Sequence, residues 1–212
     1  MRRLLFSTAC VAATTIVAAT GTQSSTVGDR ALVVLDNARA RVFKTHGASL
    51  AGVDHQAGVV IALEDSAVNK AGDALWMQDA AVQTKRRGAD SGPLIIIEPK
   101  DVAAAAASAP PGGSKPGEAV FIGMSFETIF ENEKVTALRA RMEVDAREAV
   151  HTHASDTLVV HLSGGVIEDT ANGNTTVNGW KHGDIEFEAR GSSHSARNVG
   201  PAVDVVLVAL KP

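Results

Sequence analysis

Apolar residues along this chain come in short runs and not at helical spacing. Val33–Leu35, Val59–Leu63, Leu94–Ile97, Leu158–Leu162, Ile185–Phe187 and Val205–Leu210 are β-branched or apolar stretches set apart by Gly, Asn and Asp, which is the pattern of short strands. Asn172-Gly173 and Asn178-Gly179 carry a dipeptide that favours tight hairpin turns, because both residues tolerate a left-handed backbone. Outside the leader and the linker described next, no stretch keeps a helical period over three turns. The pattern predicts an all-β protein.

Two segments stand apart from the strand pattern. Met1-Arg2-Arg3 is a cationic start, Leu4 to Ala19 carries no charge, and Val17-Ala18-Ala19 supplies small residues before the polar Thr20 to Ser25. That order predicts a signal peptide over residues 1–19 and a periplasmic or secreted protein. Its sixteen uncharged residues fall short of the roughly 20 that span a bilayer, so removal is expected over retention as an anchor. Removal also takes Cys10, the only cysteine, so thiol catalysis, thiolate zinc and disulfides are excluded for the exported form. The second segment, residues 101–118 (DVAAAAASAPPGGSKPGE), has the Ala, Pro and Gly composition of a linker.

The linker divides two halves, 30–100 and 119–212, that repeat one another. At a constant offset of 111 residues Gly72-Asp73 falls on Gly183-Asp184, Arg86 on Arg197, Leu94–Ile97 on Val205–Val208 and Lys100 on Lys211. His55 pairs with His153 at an offset of 98, and Asp36-Asn37 resembles Glu131-Asn132. Changed offsets imply loops of different length between two similar units. Two all-β units of this size suggest a pair of small barrels or jelly rolls.

Composition narrows the partners. With 45% hydrophobic and 21% charged residues and a net charge of −4, the chain is an ordinary globular one. Its 20 basic residues do not outnumber its 24 acidic ones, so neither nucleic acid nor an anionic membrane surface is an expected partner.

The chemistry concentrates in His151-Thr152-His153-Ala154-Ser155-Asp156-Thr157. Residues i and i+2 on a strand share a face, so His151 and His153 can present two imidazoles to one ion. A third, His194, follows the turn Ala189-Arg190-Gly191, and Asn198 comes four residues later on the same face of a strand. Three histidines can hold one side of a divalent ion and leave the other open. Glu186 and Glu188 alternate with Ile185 and Phe187, which predicts acids facing solvent from a half-buried strand. Trp76 and Phe187 are expected to fill the two cores, His46 and His55 to be loop histidines, and His182 to be solvated.

These residues resemble the cupin superfamily. Gly183, Ala189, Arg190, Gly191, His194 and Asn198 reproduce every spacing of its second motif, G(X)5PXG(X)2H(X)3N, with Ala189 in place of proline. The first motif, G(X)5HXH(X)3,4E(X)6G, is met by His151, His153 and Gly164, with Asp145 for the opening glycine and Thr157 for the glutamate. The first half keeps only His55 and Gly72 of these positions; Val53, Gln83 and Arg87 replace His151, His194 and Asn198. The resemblance therefore implies two tandem cupin barrels, the first degenerate and the second metal-binding. It implies His151, His153 and His194 as ligands of a divalent ion, with iron, manganese, zinc or nickel all compatible. Thr157 takes the fourth position, and His161, Asp156 and Asn198 are candidate pocket residues or substitute ligands. Cupins lacking the glutamate include oxygenases, so the implied function is dioxygenase chemistry on a small molecule; the alternative is a metal or small-ligand binding protein without turnover. Three neutral imidazoles leave the ion's charge uncompensated, which predicts anionic substrates. Cupins often pair barrels, and a tandem chain can do so internally, so a monomer or a homodimer is expected.

Overall fold

The computed structural model describes residues 31–46, 57–78, 92–101 and 119–212. The signal peptide, residues 102–118 of the linker, and Val53, His55, Gln83, Arg86 and Arg87 lie outside the described residues, as does the side chain of His46. All regular elements among the described residues are strands.

The first half contributes β1 (Leu32–Asp36), β2 (Ala40–His46), β3 (Val59–Ala62), β4 (Ala74–Trp76) and β5 (Pro93–Pro99), in one antiparallel sheet of order β1-β2-β5-β3-β4. The second contributes β6 (Phe121–Glu131), β7 (Val135–Thr152), β8 (Asp156–His161), β9 (Gly165–Ala171), β10 (Asn174–Trp180), β11 (Ile185–Glu188), β12 (Ser193–Asn198) and β13 (Val203–Leu210). Their sheet runs β10-β9-β12-β7-β13-β8-β11, with β6 also on β7. Strand β7 is what curls it. Its first part pairs with β13 and its last part with β12, and between them Asp145 takes a φ of 60°, a conformation that Asp tolerates better than most residues.

The order β6-β7-β13-β8-β11 within the second half matches the whole of the first sheet, and the bonds at equivalent positions match too. Asn37 Oδ1 accepts from the amides of Arg39 and Ala40, as Asn132 Oδ1 does from Lys134 and Val135. The Gly72 amide donates to Ala62 O and the Gly183 amide to His161 O. Both glycines sit at positive φ, 88° and 78°. A Cβ on Gly72 would lie 2.9 Å from Leu162 Cδ1, and one on Gly183 2.6 Å from Lys44 Nζ and 3.3 Å from Leu63 Cδ1. Each half's turn thus packs against the other half, where only glycine fits.

The largest core lies between the halves. Val42, Val59, Ile61, Ile95 and Ile97 meet Val135, Leu158, Val160, Val206 and Val208 there, all fully buried. Alternate residues face the other way. Phe43, Val60, Leu94 and Ile96 form a second cluster in the first half, and Ala140, Met142, Val159 and Val205 a third inside the second. Strands covered on both faces need apolar residues at every position, which is why Leu94–Ile97 reads as an unbroken run. Trp76 and Phe187, expected in separate cores, both pack on the shared one. Asn172-Gly173 makes the expected turn between β9 and β10, with φ of 53° and 76°. Asn178-Gly179 does not turn; it lies within β10, paired with Ile167 and Val166.

Candidate metal centre

Three imidazoles converge inside the second half. His151 is the next-to-last residue of β7, His153 follows the strand, and His194 enters from β12 directly opposite His151 in the ladder. The ring centroids lie 4.7–5.0 Å apart. One nitrogen from each ring falls within 4.8 Å of the others, and His153 Nε2 stands 3.1 Å from His194 Nε2. Two nitrogens each about 2.0–2.1 Å from one ion are separated by about 3.0–3.4 Å, so this pair is spaced as co-ligands are.

The outer nitrogens decide which atoms face inward. His194 Nδ1 donates to Asp169 Oδ1 at 2.7 Å, and His151 Nδ1 donates to Ala149 O at 3.0 Å. In a neutral imidazole that leaves Nε2 with a free lone pair, the form a metal needs. Backbone bonds position the third ring. The His153 amide donates to Ser192 O and the Gly191 amide to His153 O, zipping the 189–192 turn onto His153 just before His194.

A ring of carboxyls surrounds the cluster, and the sequence reading missed it. Glu188 Oε2 lies 3.5 Å from His153 Nδ1 and its Oε1 3.9 Å from His194 Nε2. Glu148 Oε2 lies 3.6 Å from the same Nε2. Glu186 lines the same cavity. The expectation that Glu186 and Glu188 face solvent is therefore corrected: on β11 it is Ile185 and Phe187 that pack on the shared core, which turns the acids into the cavity. Glu148 escaped notice because simple alternation from His151 sends it outward. A bulge restores it: His194 pairs with His151 but Ala196 pairs with Glu148, so three residues of β7 oppose two of β12.

Burial sets the charge state here. Desolvation first, then repulsion from His194 and His151, lowers His153 to about 4. Burial, helped by neighbouring acids, raises Glu186 to about 7 and Glu188 to about 8, and burial also raises Glu148. The Glu188–His153 contact at neutral pH is then largely one between neutral groups and not an ion pair.

The remaining sequence candidates divide. Thr157 lines the cavity and pairs across the ladder with Glu188. His161 also lines it, away from the imidazole cluster, buried and stacked on Trp180 at 4.6 Å and 14°. Asp156 points the other way, bonded to Arg39 Nε at 2.8 Å and to the Arg190 amide at 2.9 Å, because it occupies the β8 face that packs on the first half. Asn198 is fully buried. Its amide donates to Met142 O and Pro201 O, so it ties the β12 end to β7 instead of facing the cavity. His182, expected to be solvated, is exposed but bonds Leu63 O across the two halves.

The cavity measures about 420 Å³. Its walls are mainly apolar, with Phe121, Phe126, Leu138, Val205, Leu207 and Trp180 among them.

No protein-family model matches the chain, and no curated protein matches it. Among solved structures, a cupin domain from Bordetella pertussis Tohama I is 18% identical, covering 43% of this chain and 96% of its own, with a TM-score of 0.40. The polyketide cyclase RemF from Streptomyces resistomycificus is 17% identical over 44% of this chain and 69% of its own, TM-score 0.38. KdgF from Halomonas sp. is 17% identical over 42% and 81%, TM-score 0.36.

Proposed function

We propose that the chain is a tandem cupin whose second barrel binds a divalent metal through His151, His153 and His194 and acts as an enzyme on a small molecule in the adjoining cavity. The observation that carries this reading is the convergence of three ring nitrogens with two of the outer nitrogens already engaged by Asp169 and Ala149. A half-buried ligand set oriented in this way suits a resident ion. The two-barrel reading draws on the matching strand order and on the bonds repeated at Asn37 and Asn132. In this reading the first barrel is degenerate and keeps the shape without the ligands.

Dioxygenase chemistry is the reaction class proposed. The support is Thr157 at the family's glutamate position, as in three-histidine oxygenases, together with a cavity that shelters the centre from bulk water. Both oxygen atoms enter the substrate in such a reaction, so it draws on no separate reductant. The metal, when bound, would supply a redox-active centre at which dioxygen and substrate meet; the protein's own residues orient the substrate.

Purified full-length protein analysed for iron, manganese, zinc and nickel, followed by oxygen uptake with thiols, diketones and phenols, tests this. His153→Ala and His194→Ala are expected to abolish metal retention while His55→Ala retains it. Equal losses in all three overturn the assignment. Metal retained without oxygen uptake leaves the binding-protein reading in place of the enzyme. Export is part of the proposal and rests on the order of residues 1–25; a mature amino terminus starting after about Ala19 in the periplasm or medium is the expected result.

A further inference from the structure

We infer that the cavity of the second half takes an uncharged aromatic molecule of one or two fused rings with an oxygen function directed at the histidine cluster. The inference deepens the proposed function and rests on its reading of the cavity as the substrate site.

Three observations carry it. First, among the described residues no lysine or arginine lines the cavity, while Glu148, Asp169, Glu186 and Glu188 all do. An ion of either sign entering here gives up its hydration for mainly apolar walls, and an anion finds no fixed cation among these residues to offset that cost. Second, the hydrophobic lining is aromatic where it approaches the ligands. Phe121 meets His151 edge-on at a centroid distance of 5.4 Å and Phe126 at 5.1 Å, and both phenylalanines keep more than two-fifths of their surface exposed. Such rings favour another ring against them. At the other end Trp180 lies over His161, which burial lowers to about 4, so this end of the cavity is uncharged too.

Third, the dimensions suit a small elongated molecule. Glu188 stands opposite Thr157 on the ladder and touches two of the imidazoles, which places the metal end of the cavity at Thr157. His161 lies four residues further along β8, about 13 Å at the usual strand rise. Between them the inward faces are Val159 on β8 and Leu207 and Val205 on β13. A volume of about 420 Å³ belongs at the small end of ligand pockets.

Calorimetric titration of the full chain with three probes of matched shape tests the inference: 2-naphthol, 2-naphthoate and 2-naphthylmethylammonium, each with metal-loaded and chelator-treated protein at neutral pH. The expected result is that 2-naphthol binds at least tenfold more tightly than either ion in both forms. Trp180→Leu and Phe126→Leu are each expected to weaken 2-naphthol about three- to tenfold; Phe126 lies at the exposed rim, so its variant reads the cavity even where Trp180→Leu fails to fold. Naphthoate or the ammonium probe binding as tightly as 2-naphthol overturns the inference, and so does unchanged 2-naphthol affinity in the folded variants. Failure of the metal reading is distinguishable: a chain that retains no metal yet still selects 2-naphthol removes the proposed centre and leaves the cavity's selectivity standing.

Discussion

Asp169 offers the sharpest test of how the centre is built, because it touches a ligand and not the metal position. Its Oδ1 accepts from His194 Nδ1 at 2.7 Å, and its strand β9 pairs with β12 at Ala196, next but one to His194. Asp169→Ala removes the group that selects the tautomer and holds the ring plane. Loss of such an outer partner lowers metal affinity about 10- to 100-fold, equivalent to about 1.4–2.7 kcal/mol. Asp169→Asn keeps an acceptor without the charge and is expected to lose less. Competition against a chromogenic chelator measures both affinities, with thermal unfolding of the metal-free variants as the control for folding. Thr170→Ala, which breaks only the outward Thr170–Thr175 hydroxyl bond, is expected to leave affinity unchanged. Wild-type affinity in Asp169→Ala would refute the argument that His194 needs its tautomer fixed. A loss as complete as that of His194→Ala would show instead that Asp169 is itself a ligand.

Leu158 is fully buried in the core between the halves, so Leu158→Ala is expected to cost about 2–5 kcal/mol and to lower one shared urea transition; two separated transitions would mean the halves unfold independently. Arg39→Ala leaves the carboxylate of a pair whose side chains are 11% and 9% exposed without its partner, at a cost of about 3–5 kcal/mol in the same assay; a loss under about 1 kcal/mol would place the pair among ordinary surface bridges. Metal-free protein is expected to lose stability above neutrality. Burial raises Glu186 to about 7 and Glu188 to about 8, so the folded state holds protons that the unfolded chain releases. That stability is fully present below the ordinary carboxylate range and gone once pH has risen through about 8. His161 and His153, lowered to about 4, act oppositely but only below about 6.5. From about pH 6.5 to 8 the carboxyls act alone, and a fall of about 2 kcal/mol is expected by denaturant titration; rising stability over that interval refutes the buried-acid assignment.

Several of the strands that the sequence revealed are covered on both faces. Val59–Ala62, Leu94–Ile97 and Val205–Leu210 lie between two layers, so their apolar residues run on without a break. Strand β7 stayed hidden despite its 18 residues, because alanine fills several of its inward positions and arginines and acids occupy the outward ones. The spacing of the two family motifs brought the histidines together, since a ladder fixes which residues meet once both strands are identified. The carboxyls were illegible for a different reason. Whether Glu186 and Glu188 face water or the cavity depends on which side of β11 the first half covers, and Glu148 depends on a bulge that leaves no mark on the local pattern. Asn132 repeating Asn37 was the available hint that both halves share one interface, and with it the inward direction of β11.

That interface also bears on what the first half contributes to the site in the second. The first sheet covers the outer faces of β7, β8 and β13, where Val135, Leu158, Val160, Val206 and Val208 would otherwise meet water. One polar connection crosses this apolar layer toward the centre. Arg39 holds the Asp156 carboxylate, and the other oxygen of that carboxylate accepts the Arg190 amide. Arg190 belongs to the turn whose Gly191 and Ser192 bond the backbone of His153 and which leads directly into His194. Asp156, which its position beside the histidines marks as a substitute ligand, works one layer back: it fixes the turn between two of the three imidazoles, and a residue of the first half holds it there. The first half therefore helps to set the geometry of the histidine cluster in the second.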